Sequence, residues 1–190
     1  MKHVTGTLVA LLSVALATAA AAAPLDTVLA AVAAEERAPI ERIRLFIERA
    51  GKADVYYIDR LRPDRTRVLK NPRQGGLEVI VIGQTQWLRT DAGWRSMPAP
   101  PDAAPVPSMA TMFKEGLTGA VEQAGPDGSR VIEGEMSWTN AVACRGRVRL
   151  RIESTGLPSL VRFDGACGGQ ATRFRQAFSY VGPLTIEPPQ

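Results

Sequence analysis

The chain is poor in the residues that most enzymes work with. Its single histidine, His3, stands in a segment that reads as a removable leader, so the remaining 167 residues offer no imidazole for a catalytic triad or a metal site. Two cysteines, Cys144 and Cys167, are too few for a structural zinc site. Carboxylate-only catalysis survives this exclusion, but no pair of acids is singled out, and the sequence predicts neither an enzyme nor a cofactor. Aromatic residues make up 6% of the chain. The N-terminal apolar run is alanine-rich and short for a membrane span.

That N-terminus carries Lys2 and His3, an apolar run from Leu8 to Ala22, and Ala21-Ala22-Ala23 ahead of Pro24. The pattern predicts a signal peptide over residues 1–23, cleaved near Ala23, and an exported protein in an oxidising compartment, most simply a bacterial periplasm. Residues 24–190 then form one domain, long enough to bury a core. Cleavage removes Lys2 alone among the charged side chains, leaving 22 basic against 19 acidic residues. This excess is too small to call for nucleic acid. Arginine supplies most of the cations, and guanidinium groups suit phosphate and carboxylate recognition.

Leu25 to Arg37 reads as the first helix, with Asp26 as N-cap, Val28, Leu29 and Val32 on its apolar side and Pro39 as the stop. Ile40 to Ala50 fits both a helical and an alternating period. The β-rich run Ala53 to Leu61 beyond Gly51-Lys52 decides for a strand and a hairpin. Between Pro63 and Pro98 three strands follow, Arg65 to Lys70, Leu77 to Gly83 and Thr85 to Thr90, separated by Asn71-Pro72 with Gly75-Gly76 and by Gly83. This meander reads as the part to which everything else attaches. Pro98 to Pro107 is an extended, exposed connector. Ser108 caps a short helix, Met109 to Leu117, whose apolar side carries Met109, Met112, Phe113 and Leu117. It reads either as a lid over an apolar cavity or as a helix packed permanently on a sheet.

After the Gly125-Pro126-Asp127-Gly128 turn comes the strand Arg130 to Trp138, with Ile132, Gly134, Met136 and Trp138 on one face. In the strand Cys144 to Ile152, apolar residues alternate with Arg145, Arg147, Arg149 and Arg151. Setting Cys144 opposite Cys167 pairs Val148 with Phe163 and Leu150 with Val161, and a slip of one residue breaks both matches. This predicts a Cys144–Cys167 disulfide, a structural staple rather than a redox switch in an exported protein. It also puts Arg149 opposite Arg162 and Arg147 opposite Asp164. The last strand, Ala171 to Tyr180, carries Arg173 and Arg175 on one phase and Phe174, Phe178 and Tyr180 on the other.

The Pro63-Asp64-Arg65 opening, the strand ending Val81-Ile82-Gly83, Gln86-Trp87-Leu88, Gly93-Trp94-Arg95 and the terminal Phe178 to Pro189 resemble periplasmic proteins of the lipoprotein-carrier superfamily (LolA, LolB and LppX-like). The cysteine hairpin departs from the carrier pattern, which points to a divergent relative. The resemblance implies an α+β fold, a curved antiparallel half-barrel with helices on its apolar concave face. The strands and helices come from the residues, and the half-barrel closure comes from the resemblance. It implies binding of a lipid, acyl chain or other apolar ligand, lined by Ile43, Leu45, Val79, Val81, Ile132, Met136, Phe174 and Phe178, with Met109, Met112 and Phe113 as lid. Each of these is also an ordinary core position. The alternative is a protein-interaction or sensory module, as in the superfamily's RseB-related regulatory members. In that reading the Arg147, Arg149, Arg151 face or the Pro98 to Pro107 loop meets an envelope protein; the arginine face also suits an anionic membrane surface.

Overall fold

The computed structural model describes residues 24–99, 109–140 and 142–190. The expected leader, the expected Ser108 cap and nearly all of the proline-rich connector lie outside these residues. Among the described residues the chain forms two helices, α1 (residues 24–37) and α2 (Met109–Gly116), and eleven strands. The strands are β1 (Ile40–Arg49), β2 (Lys52–Leu61), β3 (Arg65–Lys70), β4 (Glu78–Ile82), β5 (Thr85–Thr90), β6 (Gly93–Pro98), β7 (Leu117–Ala124), β8 (Arg130–Asn140), β9 (Val142–Ile152), β10 (Pro158–Cys167) and β11 (Gln170–Ser179). All lie in one curved antiparallel sheet, ordered β6-β5-β4-β3-β2-β1-β11-β10-β9-β8-β7. Among the described residues the sheet is not closed, and β6 and β7 are its edges. The protein is thus α+β, as its sequence predicts.

Every neighbouring pair but one consists of strands consecutive in sequence. The exception is β1 with β11, which joins the meander β1–β6 to the meander β7–β11, with Ile43 beside Phe178 and Ile47 beside Phe174. The Pro63 to Pro98 meander therefore forms one wing of the sheet rather than its centre. It also gains a fourth strand, β6, because Asp91-Ala92 closes a hairpin that lays Trp94 opposite Arg89. The β1–β2 hairpin turns on Ala50 and Gly51, both at positive φ (48° and 75°), the combination that a two-residue type I′ turn requires.

The predicted register of the C-terminal hairpin is the observed one: Cys144 faces Cys167, Val148 faces Phe163 and Leu150 faces Val161. The disulfide is formed. Both helices lie on the face that carries these apolar side chains. In α1 the buried positions are Pro24, Val28, Ala31, Val32 and Glu35, a stripe at helical spacing. The helix already includes Pro24 and Leu25, so Asp26 sits in its first turn rather than at the cap. α2 ends one residue earlier than expected, since Leu117 pairs with Met136 as the first residue of β7. Gly116 lets it close in: a Cβ there would stand 2.0 Å from the Ser137 carbonyl oxygen. The core beneath the helices contains Ile43, Phe113, Leu117, Ile132, Met136, Val148, Leu150, Ile152, Val161, Phe163 and Phe178. Trp138, Phe163 and Phe174 meet there as an aromatic cluster with centroids 4.8 to 6.3 Å apart.

Candidate ligand-binding face

The register assembles one continuous apolar row on the helix-bearing face. From the centre outward it reads Phe178, Ile43, Ile58, Val68, Val79 and Leu88, directly paired across β11, β1, β2, β3, β4 and β5. Five strand spacings make it about 24 Å long. Its inner end is sealed, with Ile43 3% and Phe178 9% exposed, whereas Ile58, Val68, Val79 and Leu88 are only half-buried. The row thus runs out from under the helices onto the wing.

This divides the eight residues expected to line a ligand site. Ile43, Ile132, Met136 and Phe178 are closed in the core, and Leu45, Val79, Val81 and Phe174 keep accessible surface. Phe174 stacks on Phe163 at 5.2 Å, and Leu45 packs at the edge of the core. Val81 lies in the neighbouring row with Thr66 and Gln86. In α2, Phe113 is buried while Met109 and Met112 pack half-exposed against the core. Phe113 therefore holds the helix down and the two methionines form its flexible margin.

That neighbouring row begins with Glu41 and Arg60, and beside it the chain buries a polar cluster. Glu41 is fully enclosed and Glu35, from α1, is 5% exposed. Arg60 Nη1 lies 2.9 Å from Glu41 Oε2 and 3.9 Å from Glu35 Oε1, and Arg62 Nη2 lies 3.7 Å from Glu41 Oε2. Arg62 also donates to the carbonyls of Ala38 (2.9 Å) and Glu35 (3.2 Å), satisfying the C-terminal end of α1. Burial, and then the adjoining Glu41 carboxyl, push Glu35 up to about 8 against the opposing pull of Arg60 and Arg62. Glu35 thus keeps its proton at neutral pH. Burial and the same two carboxyls also raise Tyr180, whose hydroxyl has no hydrogen-bond partner among the described residues. The sequence held a signal for this cluster: Glu41 shares the phase of Ile43 and Leu45, and Glu35 falls on the stripe of Val28 and Val32.

The opposite face is polar and hollowed. A groove of about 1090 Å³ opens there, lined among others by Arg44, Phe46, Val55, Val121, Arg149, Arg162 and Arg175. The three arginines expected to make contacts are ion-paired: Arg147 with Glu135 at 3.5 Å, Arg149 with Glu133 at 3.2 Å and Arg151 with Glu153 at 3.0 Å. On the wing, Glu78 is buried under Arg67 (2.6 Å) and Arg89 (3.0 Å). Burial pushes its carboxyl up, but the hydrogen bonds and charges of the two arginines outweigh burial and hold it below the usual carboxylate range.

The chain is similar in fold to two solved mycobacterial structures. LprF from Mycobacterium bovis matches with a TM-score of 0.58 and 11% sequence identity, over 87% of this chain and 96% of that one. The lipoprotein LppX of Mycobacterium tuberculosis matches with a TM-score of 0.58 and 13% identity, over 87% and 98%. No protein-family model matches the chain, and no curated protein does. The fold is therefore the LppX-like one that the sequence motifs suggested, reached by a divergent sequence.

Proposed function

We propose that the protein binds a lipid, an acyl chain or another apolar ligand non-covalently, and carries it between envelope components in the periplasm after its leader is removed. The observation that carries this reading is the apolar row that leaves the core half-open. Ile58, Val68, Val79 and Leu88 sit in register on four successive strands, and burying the rest of their surface under a ligand is worth roughly 1 kcal/mol each. The shared fold with LprF and LppX supports it. Leu45, Val81 and Phe174 widen the site, and no step is chemical.

Native mass spectrometry of the protein purified from a periplasm, with lipid extraction, tests the reading. The expected result is a co-purifying apolar species that is lost in Val79→Asp, a half-buried position where a charge leaves the core intact. Protein that emerges empty and binds no apolar fluorescent probe refutes the carrier.

A further inference from the structure

We infer that the groove on the face away from the helices is a second binding site, for the phosphate head of a single-chain anionic amphiphile. It stands on the far side of the sheet from the apolar row and does not depend on that row binding anything.

Its centre is one ladder row crossing seven strands. In order from β7 to β2 the paired residues are Val121, Glu133, Arg149, Arg162, Arg175, Phe46 and Val55. Three arginines stand side by side on β9, β10 and β11. Like charges directly opposed across strands repel, so a sheet does not choose such a row for its own stability. Only Arg149 is neutralised, by Glu133. Arg162 and Arg175 are exposed and make no ion pair or hydrogen bond among the described residues.

The next row shows what the sheet does when it balances itself. There Glu135, Arg147, Asp164, Arg173 and Glu48 alternate in sign across the same strands, with Arg147 on Glu135 and Arg173 on Asp164. On that side the excess positive charge of the middle row ends at carboxylates, which repel an anion extending past it; on the other side Arg44, whose guanidinium lies 5.6 Å from the Tyr57 ring centroid, adds a further cation to the groove. The outer arginines stand about 10 Å apart, close enough for their side chains to converge on one anion. Guanidinium forks match phosphate oxygens two at a time.

The two ends of the row add an apolar body to this ligand. Phe46 is 37% and Val121 55% exposed, both large apolar side chains left in water, and Val55 extends the Phe46 end. A phosphate over Arg162 and Arg175 leaves an attached chain lying over Phe46 and Val55. The hollow suits an extracted, monomeric molecule rather than a flat bilayer surface.

Isothermal titration with monomeric lysophosphatidic acid, the monoacylglycerol of the same chain and inorganic phosphate tests the site. Lysophosphatidic acid is expected to bind at least about ten-fold more tightly than either of the other two, and to lose at least that factor in the Arg162→Gln, Arg175→Gln double variant. Both positions are exposed, and circular dichroism checks that the variant folds. Phe46→Ser is expected to weaken lysophosphatidic acid and leave phosphate unchanged. In the wild type, rising salt weakens lysophosphatidic acid and spares monoacylglycerol. Phosphate alone binding as tightly as the lipid makes this a free-anion site and overturns the proposal, as does unchanged lipid affinity in the double variant. Monoacylglycerol binding that is lost in Val79→Asp and kept in the double variant belongs to the apolar row, so the two sites can fail separately.

Discussion

The two halves of the sheet are built on different terms. In β8–β11 burial alternates sharply, with Val148, Leu150, Val161 and Phe163 nearly sealed while Arg147, Arg149 and Arg162 between them are exposed. In the wing and where it joins β1, β3 and β2 are half-buried on both faces for most of their length. α1 and α2 account for the contrast, because their apolar contacts fall on the C-terminal block and on β1. The wing instead covers Ile80 with its own side chains, pairing it with Arg67 and Trp87, and keeps Glu78 under two arginines. A block with a filled core provides rigidity, and a wing with an unfinished one provides a place to bind.

Truncation gives the largest test of this contrast. Leu150→Ala is expected to cost about 3 kcal/mol, against about 1 kcal/mol or less for Val79→Ala, measured by urea denaturation. Equal costs would mean that the wing is as tightly packed as the block. Removing the staple by Cys144→Ala with Cys167→Ala, which opens a link across 23 residues, should cost a comparable amount, about 3 kcal/mol. The wing's hairpins should not feel it, and amide exchange there should stay unchanged below the global transition.

At the border between the two regions lies Glu35. Its folded pKa of about 8 stands above its ordinary 4.5, so the native state holds a proton that the unfolded chain releases. Stability from this group is fully present below about pH 4.5 and is lost as pH rises toward 8. Glu35→Gln keeps the neutral form and should flatten that slope, seen as a melting temperature nearly constant between pH 5 and 8. A slope that survives the substitution would place the titrating group elsewhere. The smallest expected effect is on the arginine face. Arg162→Gln should raise stability by about 0.5 kcal/mol at low salt, because it relieves repulsion from Arg149 and Arg175. A loss there would mean that Arg162 holds the block together.

The block was the more legible half because its pattern is strict. Five apolar positions alternating with four arginines between Cys144 and Ile152 admit one face, and the second cysteine fixes the register. The wing's strands were legible from their turns, but their rank in the sheet was not. Nothing local in Arg65 to Thr90 states that the chain will return 100 residues later to pair β11 with β1, and it is this pairing that puts the meander at one side. The apolar row was hidden for the same reason, since it exists only once Ile43, Ile58, Val68, Val79 and Leu88 come from five different strands. Val79 and Val81 could be named as ligand residues, whereas Ile58, Val68 and Leu88 could not. Sealed and open members of the eight-residue set could not be told apart either, because α1 covers some and misses others. Arg149 facing Arg162 could be read directly, yet the pairing of Arg149 with Glu133 needed the β8–β9 register, and so the two unpaired arginines stayed concealed.

The single non-consecutive pairing also governs how the chain reaches this state. Nine of the ten strand contacts are hairpins between neighbours in sequence, each of which closes a short loop quickly. The β1–β11 seam closes over more than a hundred residues, as Ile43 must find Phe178. It must offset the entropy of that closure, and non-local pairing of this kind is expected to form later than the hairpins. Before it forms, the exposed flank of β1 is an unpaired edge of alternating Ile43, Leu45 and Ile47, and during that interval the chain is most open to pairing with another copy of itself.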